Sequence, residues 1–146
     1  MAMNGRRVDP YAAFRFRVEI EGLVVGGFTE VGGLEMEIDV TSVREGGVNG
    51  YEHLLAGPAR YPSRLALRRG LTDADGLWRW CRDVARGTIE RRNGSVVLLD
   101  DRGGDAWRWN FVDAFPVRWA GPSLAANDWW VAMESVELVH RGLTKG

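Results

Sequence analysis

The chain predicts a mainly β fold of the α+β class, an antiparallel β-barrel or two-sheet sandwich of about six to eight strands with one α-helix at about residues 72–86. Three observations carry this. Apolar and charged residues alternate with a period of two at 14–21 and again at 34–41. One stretch, opened by Thr72, shows the helical period. Asn93-Gly94 stands between two strand-like runs, a strong short-range hairpin signal.

In chain order, Phe14, Phe16, Val18 and Ile20 alternate with Arg15, Arg17, Glu19 and Glu21, which gives a strand with one dry and one wet face. Gly22 turns it, and Leu23–Phe28 reads as a return strand weakened by Gly26 and Gly27. Leu34, Met36, Ile38 and Val40 then alternate with Glu35, Glu37, Asp39 and Thr41, a second strand with an acidic wet face. Residues 44–63 hold several glycines and two prolines and no sustained period, so they read as a long interaction loop with at most a short strand at His53–Ala56. Tyr51, Leu54, Leu55 and Tyr61 make this loop too apolar for simple disorder, and it is expected to pack on its own barrel or on a neighbour.

Leu65 and Leu67 form another alternating strand ending in Arg68, Arg69 and Gly70. Adjacent strand residues point to opposite faces, so one arginine is expected to pair within the subunit and the other with a neighbour. Thr72 is a candidate N-cap, and Asp73 and Asp75 suit the positive end of the helix dipole and would repel a bound phosphate. Ala74, Leu77, Trp78, Cys81, Val84 and Ala85 fall on one apolar stripe, with Trp78 expected to anchor the helix, and Gly87 is a natural stop. Beyond the Asn93-Gly94 hairpin, the turn DDRGGD leads to a strand in which Trp107, Trp109, Phe111, Asp113 and Phe115 share a face before Pro116. The last segment, WWVAMESVELVHRGL, reads as one long strand with a bulge between Glu134 and Val136.

The 146 residues suit one domain, read as 1–146, with a net charge of -1 and a single cysteine, Cys81. That balance argues against a polyanion as main partner, and one cysteine excludes a disulfide scaffold. Apolar runs are too short to span a bilayer, and no apolar run follows the charged start, so no signal peptide, no stable membrane insertion and synthesis in the cytoplasm are expected. No phosphate loop, dinucleotide fingerprint, HExxH or GxSxG is present. Cys81 sits on the apolar stripe as packing, His53 has no evident acid partner, and His140 reads as an ordinary interface or surface residue. The residues thus predict no enzyme, no catalytic or metal site and no cofactor.

Seven tryptophans with arginines nearby raise an alternative, a β-barrel binding single-stranded nucleic acid by stacking. A core role for Trp107, Trp109 and Trp119 competes with it. Trp129-Trp130 fits the core less well, because at most one of two adjacent strand residues enters the same core, and the other is expected at an edge or a neighbouring chain.

The segments DPYAAFRFRVEIEG (9–22), GGFTEVGGLEMEIDVTSVREGG (26–47), LALRRGLTDADGLWRWCRDVARGTIERRNGSVVLLDD (65–101), WNFVDAFPVRWAGPSLAAN (109–127) and VAMESVELVHRGL (131–143) occur in the order found in phage tail tube proteins. The chain resembles that family, T4-like and Hcp-like, and more narrowly the inner-tube proteins of contractile injection systems. The resemblance implies two β-sheets with one helix, hexameric rings stacked into a hollow tube inside a sheath, and no catalytic residue. It implies as partners other copies of the chain, a second tube protein, sheath and baseplate proteins and a lumenal cargo protein, with no specific nucleic acid. The role is either bulk tube or the tube-initiating ring on the baseplate. The apolar insert NGYEHLLAGPARYP and Trp129-Trp130 depart from the repeating subunit toward the initiator. The residues expected at inter-subunit contacts are Arg44, Tyr51, His53, Leu54, Leu55 and Tyr61 in the loop, Arg68 and Arg69 at the corner, and Trp129 and Trp130.

Overall fold

The computed structural model describes residues 9–23, 26–44, 46, 52–127 and 129–146. Val24 and Val25 of the expected return strand, and Tyr51, lie outside them. The described residues form β1 (Phe16–Ile20), β2 (Phe28–Gly32), β3 (Glu37–Arg44), β4 (Glu52–Arg60), β5 (Leu65–Gly70), α1 (Gly76–Ala85), β6 (Arg92–Leu99), β7 (Asp105–Ala120), β8 (Met133–Val139) and β9 (Gly142–Lys145). All ladders are antiparallel. Seven strands make one sheet in the order β1-β6-β7-β8-β5-β2, with β9 also on β7, and β3 and β4 form a separate pair. The sheet does not close as a barrel but folds over as a sandwich, the second of the two architectures the sequence predicts.

The fold-over happens within β7. Its first half pairs with β6 on one edge and β9 on the other, and from Phe115 onward it pairs with β8. At the change, Asp113 has φ 52, the one positive φ outside glycine among the described residues. Three groups hold that conformation. The Asn93 Oδ1 accepts from the Asp113 amide at 3.0 Å, the Asp113 carboxylate pairs with Arg141 at 3.2 Å, and the Arg141 amide donates to the Val112 carbonyl at 3.0 Å. One layer is therefore β1, β6, the start of β7 and β9, and the other is the end of β7 with β8, β5 and β2. Between them lie Val18, Ile20, Val96, Phe111, Leu65, Leu67, Val136 and Leu138.

The Asn93-Gly94 pair is not a hairpin turn. It lies inside β6, where a Cβ on Gly94 would collide with the Phe111 ring, and Asn93 serves the crease. The turn that joins β6 to β7 is Asp100–Gly104, where the Asp100 carboxylate accepts from the amides of Arg102 and Gly104, both at 2.9 Å.

The helix starts at Gly76, later than expected. The Thr72 hydroxyl accepts from the Ala74 amide at 3.2 Å, so it caps a turn before the helix, and Asp75 pairs with Arg79 at 2.8 Å. Trp80, not Trp78, anchors the helix. Leu77 and Trp80 are its buried residues, and the Trp80 indole donates to the Glu90 carbonyl at 2.8 Å. Trp78 lies outside and meets Trp119 edge-on at 5.0 Å. Gly87, at φ 93, ends the helix as expected.

The C-terminal segment is not one strand. Residues 129–132 are outside the sheet, and β8 and β9 turn at His140 and Arg141 to follow the bend of β7. Nor is there a bulge in β8 between Glu134 and Val136: Glu134, Val136 and Leu138 all face the core. Glu134 only looked out of place. It sits opposite Arg69 in the β5–β8 ladder, and both side chains are buried. Arg69 Nε donates to Glu134 at 3.2 Å, the Trp119 indole donates to it at 3.0 Å, and a second Arg69 nitrogen donates to the Ala74 carbonyl at 2.9 Å.

At the corner, His140 packs its ring against Tyr61 at 5.3 Å and is half-buried rather than a plain surface residue. Burial holds its pKa below the ordinary 6.5, against a smaller opposing pull from the Gly142 backbone. The unfolded chain therefore takes up a proton more readily than the folded corner, and stability is lost as pH falls through about 6.5. Carboxylates held low by ion pairs, Glu19 and Asp105, titrate below that window.

Two outcomes are expected in urea unfolding. Arg69→Met leaves the Glu134 charge buried without its partner and costs about 3–5 kcal/mol, and Arg69→Met with Glu134→Leu recovers most of it. A double variant no more stable than the single one would refute this pairing. In a His53→Asn background, stability falls from about pH 7.5 to about pH 5.5, and adding His140→Phe flattens that slope.

Candidate assembly surfaces

Of the residues expected to form a loop at 44–63, most of those described are strand. β3 and β4 pair from Glu37–Arg60 at the base to Arg44–Glu52, with an irregularity after Ile38 where Gly57 lies against Asp39. The loop expectation failed because Gly57 and Pro58 interrupt the pattern of β4, which a strand off the main sheet tolerates at a bulge. Arg44, His53, Leu54 and Leu55 stand on this hairpin, and nearly all its residues are exposed. Tyr61 follows β4 and turns back to the body, against His140 and near the Met36 sulfur at 3.9 Å.

Arg68 and Arg69 do point to opposite faces. Arg69 goes into the core, as described. Arg68 lies on the outer face, more than half exposed, 3.7 Å from Glu30. That outer face of the second layer is otherwise small or charged: Ala66 and Ser135, and Glu137 held by Arg64 at 3.1 Å and Arg118 at 3.5 Å. The outer face of the first layer is sealed by its own charges. Arg17 bridges Glu19 and Asp105, Arg108 bridges the same two carboxylates at 2.9 and 3.1 Å, and Val97, in register between the two arginines, is fully buried there.

Trp129 is 99% and Trp130 87% exposed, and Leu124 and Val131 are also exposed. Trp130 and Arg68 share a notch of about 440 Å³ with Pro122, Val131 and Met133. The structure thus brings Arg68 and Trp130 together, keeps the hairpin residues as a separate group, and commits Arg69 inside the subunit. Sequence reasoning missed Leu124 and Val131, single apolar residues in a segment without period, and Glu134, whose signal was its place in the row 134, 136, 138 opposite Arg69.

Two features bear on chemistry. Burial pushes the Cys81 thiol up, which makes it less nucleophilic. No group of three or more metal-ligating side chains occurs among the described residues. The aromatic rings do not form an exposed stacking row: Trp80 is core, Trp78 meets Trp119, and Trp107 lies against Trp109 at 5.9 Å with Lys145 over its ring. Most arginines near them are paired with carboxylates, which disfavours the nucleic-acid alternative. No described helix is long and apolar enough to cross a membrane.

Known structures share this architecture. A chain of the anti-feeding prophage (AFP) baseplate, 6-fold symmetrised, is 26% identical with a TM-score of 0.81, covering 95% of this chain and 97% of that one. A chain from the sheath-tube complex of an extracellular contractile injection system, PVC, in the extended state is 23% identical with a TM-score of 0.82, over 94% and 91% of the two chains. Hcp1 from Flavobacterium johnsoniae is more distant, at 18% identity and a TM-score of 0.51 over 89% and 94%. No curated protein matches. Residues 12–144 match the family described as T4-like virus tail tube protein gp19, and a match over nearly the whole chain places it: the protein belongs to the T4-like tail tube family.

Proposed function

We propose that this protein is a structural inner-tube subunit of a contractile injection system, its copies joined in hexameric rings that stack into a hollow tube within a sheath. One observation carries the reading. Among the described residues, the second layer ends on both sides in strands with an open edge: β2 pairs only with β5, and Phe115–Ala120 of β7 pairs only with β8. Open edges are normally a hazard. Two unlike edges on opposite sides of one sheet are what a head-to-tail contact needs, and such contacts close into rings. The outer face of that layer, with its small residues and paired charges, then forms the wet inner wall. The relatives from a baseplate described as 6-fold symmetrised and from a sheath-tube complex support this.

In this reading the hairpin and the Trp129–Trp130 segment are contacts with other subunits, and sheath and baseplate proteins are further partners. A cargo protein occupies the lumen. The chain is made and assembled in the cytoplasm and ends in a particle that is released or retained. Bulk tube and baseplate-proximal ring remain the two positions, and the copy number per particle separates them.

Electron microscopy of the purified protein at high concentration is expected to show rings or stacked tubes; a protein that stays monomeric refutes the reading. Trp129→Ser with Trp130→Ser is expected to leave the circular dichroism unchanged and to raise the half-assembly concentration at least about tenfold, since buried tryptophans anchor interfaces. Assembly at the wild-type concentration would remove the tryptophans from the contact.

A further inference from the structure

The β3–β4 hairpin stands off the seven-stranded sheet, and none of its residues belongs to the core. Its direction is therefore set at its root. Met36 immediately precedes β3 and Tyr61 immediately follows β4, and the Tyr61 hydroxyl lies 3.9 Å from the Met36 sulfur. Two residues further along, the Ser63 hydroxyl donates to the Glu35 carboxylate. The two strands are thus tied together on the body side of the Arg60–Asp39 ion pair.

That tie rests on the corner between β8 and β9. The Tyr61 and His140 rings are 5.3 Å apart between centroids, their planes tilted by 52°. Gly142 lies against the same tyrosine, where a Cβ would stand 3.8 Å from the ring. The corner is pinned in turn to the bend of β7, because Arg141 pairs with Asp113. Tyr61 is the peg through which the hairpin takes its bearing from the crease of the sandwich.

His140 is poorly provided for in this position. Both ring nitrogens are shut off from solvent, and neither has a hydrogen-bond partner among the described residues. A buried polar group without a partner costs stability and calls for an explanation. A phenylalanine would fill the same place against Tyr61 without that cost. What the imidazole adds is a charge that switches near neutral pH. Burial opposes the charged ring, the Gly142 backbone favours it more weakly, and no carboxylate among the described residues acts on it. The charged groups of the surrounding elements are engaged elsewhere: Asp113 of β7 with Arg141, Glu35 with Ser63, and Asp39 with Arg60. An imidazolium at this corner regains water only by turning outward, and in doing so it leaves Tyr61.

We propose that His140 and Tyr61 form an acid-sensitive joint: the neutral imidazole seats the hairpin on the body, and the charged one releases it to swing about its root. The joint does not rest on the tube reading, and it acts within a single subunit. Acid then frees the hairpin before the sandwich itself unfolds, because the hairpin shares none of the core.

Spin labels test this by double electron–electron resonance, in a Cys81→Ser, His53→Asn background and below the concentration at which copies associate. One pair, Leu54→Cys with Arg86→Cys, spans hairpin and helix. The other, Arg86→Cys with Thr144→Cys, lies within the body. Samples are compared at about pH 7.5 and about pH 5.5, on either side of the ordinary imidazole range. The hairpin distance is expected to be narrowly distributed at the higher pH and to lose its narrow peak at the lower, while the body distance keeps its peak at both. Adding His140→Phe, or in a separate variant His140→Gln, is expected to make the hairpin distance independent of pH. A hairpin distance unchanged by acid in the background chain overturns the joint, as does one that sharpens in acid because the imidazolium is drawn to the Tyr61 ring. Broadening of the body pair together with the hairpin pair means general unfolding and overturns it too. So does equal broadening in both His140 variants.

Discussion

The bend of β7 at Asp113 is the constraint on which both layers depend. A strand of this length laid flat would expose one face of Phe111, Leu138 and Val136 to water. Bent, it turns one seven-stranded sheet into a sandwich with a dry interior. A non-glycine residue at positive φ costs about 1–3 kcal/mol and persists only where neighbours over-determine it. Here the Asn93 side chain, the Arg141 ion pair and the Arg141 amide do so. The corner between β8 and β9 follows the same bend, and so His140 comes to rest on Tyr61.

A second tie fixes the layer that the bend creates. Arg69, Glu134 and Trp119 come from β5, β8 and β7, and Arg69 reaches on to the turn before α1. Such a network stabilises only weakly against an apolar alternative, because two charges have lost their water. Its use is geometric. It holds three strands and the helix start in one arrangement, and it leaves Arg68, the next residue, on the opposite face.

What remains outside is unusual for a monomer. The first layer closes its surface with a ring of alternating charges, whereas the hairpin and the segment of Trp129 and Trp130 leave apolar side chains in water. Contiguous exposed apolar surface marks an interaction site. The contrast divides the molecule into a face whose charges are paired within the subunit and faces that leave apolar side chains exposed. Membership of the tail tube family gives that division its sense.

The sequence by itself determined the strands whose apolar residues alternate, the single helix and its stop at Gly87, the family, and the pairing logic that sends Arg68 and Arg69 to opposite faces. These are local properties: side-chain period, helix period and the left-handed conformation of glycine need no knowledge of distant residues. Tertiary structure alone decided the rest. Asn93-Gly94 has the chemistry of a turn, but Phe111 takes the room the glycine leaves and Asp113 takes the asparagine. Glu134 breaks a hydrophobic pattern until Arg69, far away in the chain, stands opposite it. Trp80 rather than Trp78 faces inward because Glu90 offers its carbonyl to the indole. Residues 52–60 show no period because their strand has no dry face of its own, and side-chain alternation is strongly specified only where one face is buried.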